Sequence, residues 1–317
     1  MTEKIATRDA YGNALVELGK SLDRVVVLDA DLSKSTKTIL FAEAFPSRFF
    51  NVGVSEADMM GTAAGLAASG YIPFASTFGV FATGRVYDQI RNSIAYTRLN
   101  VKIAATHTGL TVGEDGASHQ ALEDIALMRV LPNMTVVVPA DGTQTRQAVQ
   151  AIARHQGPVY LRLGRPKVPQ IIQAESSFEL GRGQVLREGK DLAYITTGIM
   201  TSMALDAASQ LETQGIHAAV VNMHTLKPLD EKLLIQVARE TGAVVTGEEH
   251  SIIGGLGGAV AEVLSQDYPV PVIRVGVKDT FGESGSPDAL LEKYGLTPEE
   301  LVRAGYLALQ KKSSCCK

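Results

Sequence analysis

The sequence predicts an α/β protein made of two doubly wound domains whose sheets are largely parallel. Short apolar runs alternate along the chain with longer segments of helical periodicity, which is typical of strands joined by crossover helices. The apolar runs contain few polar residues, so helices are expected to cover both faces of each sheet. The chain has 317 residues, more than one hydrophobic core usually organises.

The first half of the chain carries a clear alternation of strand and helix patterns. Strands are predicted at short uninterrupted apolar runs, and helices where apolar residues recur every three to four positions. The predicted strands are Val25–Leu28, Tyr71–Ala75, Val101–Ala105, Thr135–Pro139 and Val159–Leu163. The predicted helices are Thr7–Leu22, Glu56–Ser69, Gly84–Ala95, Gln120–Leu131 and Gly142–His155.

The pattern is interrupted after Pro166 and then resumes. Pro166–Gly183 contains prolines and polar residues without a clear period, which indicates a linker. Residues 1–170 are predicted as the first domain, 171–188 as the linker and 189–317 as the second domain. The predicted strands of the second domain are Leu192–Thr197, His217–Met223, Ala243–Gly247 and Val270–Val275. Its predicted helices are Met200–Gln214, Glu231–Thr241 and Leu256–Gln266, followed by a terminal helical stretch.

Composition and charge exclude several classes of protein. Hydrophobic residues make up 45% and charged residues 20%, the balance of a folded globular chain. The net charge of -4, without a basic stripe, argues against nucleic-acid binding. No apolar run approaches the roughly 20 residues that span a bilayer. The first residues lack the apolar core of a secretory signal, so a cytoplasmic location is expected.

The two cysteines, Cys315 and Cys316, are neighbours near the end of the chain. They cannot form a disulfide framework, and no Cys/His spacing typical of a metal site occurs. The tail that carries them is expected to be frayed and exposed.

Glu56 is an anomalous residue at the start of a predicted helix. Ser55 is a plausible N-cap, which places Glu56 in the first turn. The helix that follows is almost wholly apolar or small, and such a helix is expected to be buried. From the residues alone, Glu56 is either a carboxylate that complements the helix dipole or a buried functional acid.

The segment Val-Gly-Val-Ser-Glu-Ala-Asp-Met around Glu56 resembles a motif of the transketolase family. The resemblance implies that Glu56 hydrogen-bonds N1′ of the aminopyrimidine ring of thiamine diphosphate and so activates its C2 carbon. Phe78 and Phe81 follow a predicted strand, where aromatic residues commonly belong to the core. The resemblance implies instead that they stack on the pyrimidine ring.

A glycine-rich loop with two histidines follows the predicted strand Val101–Ala105. His107 and His119 flank Gly-Glu-Asp-Gly, whose glycines allow tight turns, and this arrangement favours acid–base chemistry. The loop resembles the transketolase signature Gly-Glu-Asp-Gly-x-x-His-Gln. That likeness implies that His107 contacts the hydroxyls of the donor ketose and that His119 assists proton transfer at the reacting carbonyl. It also implies that Asp115 binds the C2 hydroxyl of the acceptor aldose.

Further residues fit a site for a sugar phosphate. By the same resemblance, Arg8 and Arg165 bind the substrate phosphate, since guanidinium groups meet phosphate oxygens in pairs. Arg162 is the alternative to Arg165 if the register slips. Ser35 would donate to the phosphate, and Asp31 would lie near the thiazolium ring. Taken singly, each arginine could equally be an ordinary solvated charge.

Two motifs of the second half are interpreted as structural. The run Gly247–Gly258 does not have the Gly-x-Gly-x-x-Gly spacing of a dinucleotide site, and it favours a tight strand-to-helix turn. His250, within that run, is interpreted as structural. Gly282–Ser286 lacks a glycine that a nucleophile elbow requires. The resemblance implies that the second domain serves mainly in dimerisation.

The resemblance implies the fold and function of the C-terminal half of a transketolase: a pyrimidine-binding domain followed by a transketolase C-terminal domain. The Gly-Asp-Gly…Asn motif that holds Mg²⁺ and the diphosphate in that family is missing, so metal ligands are not assigned in this chain. A separate N-terminal subunit is therefore expected to supply Mg²⁺ binding, in an α2β2 heterotetramer or a dimer.

The expected reaction is transfer of a two-carbon ketol unit from a ketose phosphate to an aldose phosphate, as in the pentose phosphate pathway. Alternatives within the superfamily are a deoxyxylulose-phosphate-synthase-like subunit, a dehydrogenase beta subunit and a transketolase for branched sugar phosphates. The His107 loop argues against the dehydrogenase, which binds acyl substrates. A non-catalytic scaffold would be expected to lack Glu56, His107 or the arginines, and all are present.

Overall fold

The computed structural model of the chain describes residues 3–315, with only the backbone of Cys315. Within this part of the chain the strands form a seven-stranded sheet, a five-stranded sheet and a two-stranded ribbon. Helices follow most of the strands, as expected for crossover connections. The predicted α/β class is confirmed.

The seven-stranded sheet contains the strands predicted in the first half. In spatial order they are β12 (Thr225–Lys227), β6 (Thr135–Val137), β7 (Val159–Arg162), β5 (Lys102–Thr106), β4 (Ile72–Phe78), β2 (Val25–Asp29) and β3 (Phe49–Asn51). Neighbours are parallel except for β12, which pairs antiparallel with β6. A strand from the second half of the chain thus extends the first sheet.

The helices of the first half agree with the prediction at three places and differ at two. They are α1 (Thr7–Ser21), α2 (Ser33–Thr36), α3 (Ile39–Ala44), α4 (Glu56–Ala68), α5 (Asp124–Val130) and α6 (Gly142–Arg154). The predicted helix Gly84–Ala95 is replaced by two π-helical segments, Phe81–Arg85 and Gln89–Ala95. The predicted helix from Gln120 begins only at Asp124, because the buried Gln120 side chain donates to the carbonyls of Leu110 and Glu283 and belongs to the preceding loop.

The five-stranded sheet belongs to the second half of the chain. Its order is β14 (Val272–Val277), β13 (Val244–Ser251), β10 (Leu192–Thr196), β11 (Ala218–Asn222) and β9 (Gln184–Arg187). The accompanying helices are α7 (Met200–Glu212), α8 (Glu231–Thr241), α9 (Leu256–Asp267), α10 (Pro287–Lys293) and α11 (Pro298–Cys315). β9 pairs antiparallel with β11 and lies within residues 171–188, so the predicted linker ends in a strand of this sheet.

Five short strands were not predicted. β3, β9, β12 and the two strands of the ribbon, β1 (Lys4–Ala6) and β8 (Lys167–Pro169), have three or four residues each. Such segments are too short to show an alternating pattern. They lie in the separate ribbon or at the edges of the two sheets.

The end of the chain is more ordered than the sequence suggests. Helix α11 continues to Cys315, so the tail predicted to be frayed is helical as far as that residue. Cys316 and Lys317 lie outside the described residues. Among the helices of residues 3–315, none is long and apolar enough to cross a membrane.

The two halves share a continuous buried core. Val136 and Tyr160 of the first sheet belong to the same apolar cluster as Val221, Met223 and Leu234 of the second half. Apolar burial across the junction contributes about 25 cal/mol per Å², so the halves are held firmly against each other. The second half of the chain is therefore a fixed neighbour of the loops at the carboxyl ends of the first sheet.

Candidate active site

The residues selected from the sequence follow the carboxyl ends of adjacent parallel strands. Asp31 follows β2, Glu56 follows β3, Phe78 ends β4 and His107 follows β5. Because parallel strands bring their carboxyl ends to one edge, these side chains face a common crevice, the usual ligand site of an open α/β sheet. Arg165 follows β7 at the same edge.

Glu56 begins α4 and is 3% exposed. Ser55 occupies the predicted N-cap position, although its side chain makes no capping hydrogen bond. The carboxylate instead accepts two hydrogen bonds from Nη1 of Arg85, at 3.0 Å and 3.1 Å. The buried acid is thus ion-paired to a side chain that the sequence analysis missed.

Arg85 is held above an aromatic ring. Its guanidinium carbon lies 4.3 Å from the centroid of the Phe81 ring, a cation–π distance. Its side chain is 52% exposed, so it covers the entrance to Glu56 from the solvent side. The π-helical turn Phe81–Arg85 brings the arginine to this place. Since a regular helix was predicted there, the sequence carried no signal for the contact.

Aromatic rings and both histidines form one cluster beside Glu56. The rings of Phe78 and Phe81 are nearly parallel, with centroids 6.1 Å apart. His107 stacks on Phe78 at 3.9 Å, and His119 meets Phe81 edge-on at 5.3 Å. The structure therefore brings these four residues together, as expected if they line one ligand site.

His107 is a buried, neutral imidazole whose tautomer follows from its contacts. Nε2 lies 2.9 Å from Nη1 of Arg8, which can only donate, so Nε2 is the acceptor. Nδ1 therefore carries the hydrogen and donates to Oγ1 of Thr106 at 2.9 Å. Burial, with the positive charges of Arg8 and Arg165, lowers the pKa of His107 to about 3. Its backbone is left-handed (φ 54°), an unusual conformation that turns the ring into the crevice.

The two predicted phosphate-binding arginines both lie near His107, and the positive charges of both act on its imidazole. Arg8 donates to the backbone carbonyl of Ser35 at 3.3 Å, which places the predicted phosphate donor beside it. Arg165 donates to Glu114 at 3.1 Å and lies 4.0 Å from the carboxylate of Asp115. Burial lowers the pKa of Arg8, and the positive charge of Arg165 adds to that effect. Two cations that repel each other in this way would both be stabilised by an anion placed between them.

The alternative arginine, Arg162, is committed to the protein interior. Its side chain is 5% exposed and forms a salt bridge to Asp124 at 2.7 Å. It also donates to the backbone carbonyls of Ala121 and Glu249. These buried contacts direct the Arg162 side chain into the fold, whereas Arg165 follows β7 at the edge where the crevice lies.

Asp31 lies on a loop that a buried acid anchors. Asp31 has a left-handed backbone (φ 67°) and accepts from Nδ2 of Asn51 at 3.3 Å. Asp29 is fully buried and accepts hydrogen bonds from the Leu32 amide and the hydroxyls of Thr36 and Thr38. Asp29 therefore fixes the turn that carries both Asp31 and Ser35, a role that the sequence analysis did not assign.

The glycine-rich loop contains the turns that its glycines predict. Leu110–Asp115 is a 3-10 helix kinked at Gly113 (φ 84°), and Gly116 is also left-handed (φ 75°). His119 is half-buried and lies 3.0 Å from the Ser118 hydroxyl through Nδ1.

His250 lies away from the crevice. It is fully buried, its Nδ1 contacts the Ser251 carbonyl at 2.7 Å, and its Nε2 accepts weakly from the Ala126 amide. These contacts agree with a structural interpretation.

Taken together, a buried acid, stacked aromatic rings, two histidines and two arginines lie at the carboxyl edge of the first sheet. Comparison with known proteins identifies the family of this chain. Residues 3–170 match the transketolase pyrimidine-binding domain, and residues 181–301 match the transketolase C-terminal domain. The chain therefore belongs to the transketolase family of transferases and corresponds to the C-terminal subunit of a split transketolase.

The chain matches some relatives over nearly their whole length and others over only about half of it. The putative transketolase C-terminal section of Methanocaldococcus jannaschii is 51% identical, with 93% of this chain covering 94% of that protein. A 6-deoxy-6-sulfo-D-fructose transketolase subunit of a Clostridium species is 47% identical, with coverage of 96% and 95%. Rat transketolase is 38% identical, but the match spans only 49% of its length.

Solved structures agree with this relationship. A split-gene transketolase described as an inactive beta4 tetramer superposes with a TM-score of 0.92 at 63% identity, covering 97% of this chain and 99% of that one. Transketolase from Leishmania mexicana superposes with a TM-score of 0.83 at 29% identity, covering 98% of this chain and 46% of that one.

Proposed function

We propose that this chain transfers a two-carbon ketol unit from a ketose phosphate to an aldose phosphate, in a site completed by a separate N-terminal subunit. The observation that carries the proposal is the convergence of Glu56, the aromatic pair and both histidines with Arg8 and Arg165 at one edge of the first sheet. The N-terminal subunit would hold Mg²⁺ and the diphosphate, since this chain spans about half of a single-chain transketolase. We propose an α2β2 assembly for the active enzyme.

The residues present fit the pyrimidine end of thiamine diphosphate, the cofactor of this family. Glu56 offers a carboxyl group that is shielded from water, and the Phe78 and Phe81 rings offer flat apolar faces next to it. When bound, the cofactor supplies the carbon nucleophile that carries the two-carbon unit. Glu56 holds a proton at the pyrimidine nitrogen, and the two phenylalanines orient the ring and exclude water.

The remaining side chains act on the sugar phosphates. Arg8 and Arg165 bind the phosphate with the help of Ser35, and this displaces Arg8 from Nε2 of His107. The freed, neutral His107 then accepts a hydrogen bond from a hydroxyl of the ketose. His119 moves a proton at the reacting carbonyl oxygen, and Asp115 accepts from the C2 hydroxyl of the aldose. Asp31, on the loop after β2, would lie near the thiazolium ring.

Activity of the reconstituted enzyme tests the proposal. The purified chain would be mixed with a purified N-terminal subunit, thiamine diphosphate and Mg²⁺, and transfer from xylulose 5-phosphate to ribose 5-phosphate would be measured. We expect activity only in the mixture. Full activity of this chain alone contradicts the shared site, and absence of turnover on every ketose phosphate contradicts the proposed transfer.

A sulfonated ketose is the second candidate donor, because one relative with 47% identity is a 6-deoxy-6-sulfo-D-fructose transketolase subunit. A sulfonate also offers three oxygens to the paired arginines. Comparing fructose 6-phosphate with 6-deoxy-6-sulfofructose at equal concentration in the same mixture separates the two candidates by kcat/KM.

A further inference from the structure

Two consecutive glutamates on β13 are buried and serve different parts of the molecule. Glu248 is 0% exposed and Glu249 is 5% exposed. Glu248 accepts hydrogen bonds from the amides of Leu256 and Gly257, both at 2.7 Å, so it caps the start of α9 within its own domain. Successive residues of a strand point to opposite faces, so Glu249 is directed elsewhere.

Glu249 reaches the glycine-rich loop of the first domain. Its Oε1 accepts from the backbone amide of Thr111 at 2.7 Å, across 138 positions of sequence. Thr111 is fully buried in the 3-10 turn Leu110–Asp115, between His107 and His119. One carboxylate of the second domain therefore fixes the middle of the loop that faces the crevice.

The backbone of the loop is shaped around this carboxylate. Gly109 has φ 77°, and a Cβ atom at that position would lie 2.3 Å from the carboxyl carbon of Glu249. A side chain at this position would have to push the Glu249 carboxylate away from the loop, and the left-handed backbone also favours glycine. Burial raises the pKa of Glu249 to about 6, while Arg162 and the Thr111 amide oppose that rise.

Arg162 links β13, the strand that carries Glu249, to the end of the glycine-rich loop. It donates to the Glu249 carbonyl at 2.9 Å and to both oxygens of Asp124, the first residue of α5. The loop is thus held at Thr111 by the Glu249 side chain and at Asp124 by Arg162. Both anchors are buried, and buried hydrogen bonds to charged groups are among the stronger ones.

We propose that Glu249 is a positioning residue that holds the substrate loop in its binding conformation through the Thr111 amide. The proposal rests on the proposed function in one respect, that this loop contacts the sugar phosphates. It gives the second domain a role in substrate affinity, which comes in addition to self-association. Glu249 touches neither the ring site at Glu56 nor its aromatic neighbours, so its loss should affect sugar binding more than cofactor activation.

Steady-state kinetics of the reconstituted enzyme test the functional part. Glu249→Ala should raise KM for xylulose 5-phosphate about tenfold and change kcat less than twofold. Glu249→Gln, which keeps the shape and an acceptor oxygen, should raise KM only about threefold. Glu248→Ala is the matched control on the same strand and should lower the Tm without changing KM. Equal KM values for Glu249→Ala and the wild type, or a fall in kcat alone, would overturn the proposal.

Hydrogen exchange of the chain without its partner tests the positioning separately from any activity. Peptides covering residues 107–119 should exchange at least fivefold faster in Glu249→Ala and less so in Glu249→Gln, with wild-type rates in Glu248→Ala. If Glu249→Ala fails to fold, KM and the hydrogen exchange of the loop are both measured on Glu249→Gln. Unchanged loop exchange in a folded variant refutes the positioning role, whereas faster exchange in an enzyme without transketolase turnover refutes only the proposed function.

Discussion

Arg85 closes the entrance to Glu56, with Nη1 at 3.0 Å from Oε1 and 3.1 Å from Oε2 of the carboxylate. Both oxygens of the Glu56 carboxylate accept hydrogen bonds from Arg85, whereas the proposed role of Glu56 requires one of them to face the pyrimidine nitrogen. The ion pair and cofactor binding therefore compete for one carboxyl group. Replacing Arg85 should therefore change the affinity for thiamine diphosphate.

We expect Arg85→Met to bind thiamine diphosphate two- to fivefold more tightly in the presence of the N-terminal subunit and Mg²⁺. The factor is small because a half-exposed ion pair contributes at most about 1 kcal/mol. Cofactor titration followed by protein fluorescence gives the Kd. Arg91→Met, in the next π-helical segment and without contact to Glu56, is the control. Weaker binding by Arg85→Met would show that Arg85 assists the cofactor instead of competing with it.

Glu56→Gln should slow H/D exchange at C2 of thiamine diphosphate at least about 100-fold in the reconstituted enzyme. The amide cannot share a proton with the pyrimidine nitrogen, and a positioned acid or base contributes on the order of 100- to 10,000-fold. Quenched-flow exchange followed by proton NMR measures the rate. Asp58→Asn changes an exposed acid in the same first turn of α4 and should leave the rate unaltered. Wild-type exchange in Glu56→Gln would remove the proposed role.

The depressed pKa of His107 predicts a loss of stability in acid. The native state does not protonate this imidazole until about pH 3, whereas the unfolded chain does so near pH 6.5. The unfolded state thus binds the extra proton as the pH falls from 6.5 toward 3. The free energy of unfolding then drops by up to about 1.4 kcal/mol per pH unit. His224, whose burial lowers its pKa to about 4, adds to the same slope.

Urea unfolding at fixed protein concentration between pH 7.5 and pH 4.5 checks this expectation. His107→Asn should reduce the slope of the unfolding free energy against pH, because it removes one of the protons taken up. His217→Asn replaces an exposed histidine and should keep the wild-type slope. An unchanged slope in His107→Asn would mean that the ring is protonated in the native state above pH 4.5.

Much of the fold could be predicted from the sequence, because its central strands and longer helices carry strong local patterns. β2 and β5 are buried along their whole length, and α8 has the predicted bounds Glu231–Thr241. The short edge strands β3, β9 and β12 could not be predicted, since segments such as Thr225–Lys227 gain their strand geometry only by pairing with an existing sheet. Their structure is a property of the tertiary contact.

The residues of the candidate site fall into the same two groups, those with a local sequence signal and those that depend on tertiary contacts. Glu56 opens a predicted helix, and Phe78 and His107 lie at or just after the ends of predicted strands, so they could be selected from the sequence with the help of the family resemblance. Arg85 and Glu249 could not, because each acts across a distance set by packing: one through a π-helical turn, the other between domains. Local pattern does not encode such contacts.

The proposed binding of the substrate phosphate by Arg165 gives a further prediction. Arg165→Leu should lower kcat/KM for xylulose 5-phosphate 10- to 100-fold, since a charged hydrogen bond to phosphate is worth about 1.5–3 kcal/mol. Its effect on unphosphorylated xylulose should be less than threefold, because that donor has no phosphate to bind. Arg146→Leu alters an exposed arginine paired only loosely with Glu17, 3.9 Å away, and should change neither value. Equal losses on both donors would mean that Arg165 supports the loop through Glu114 and does not bind the phosphate.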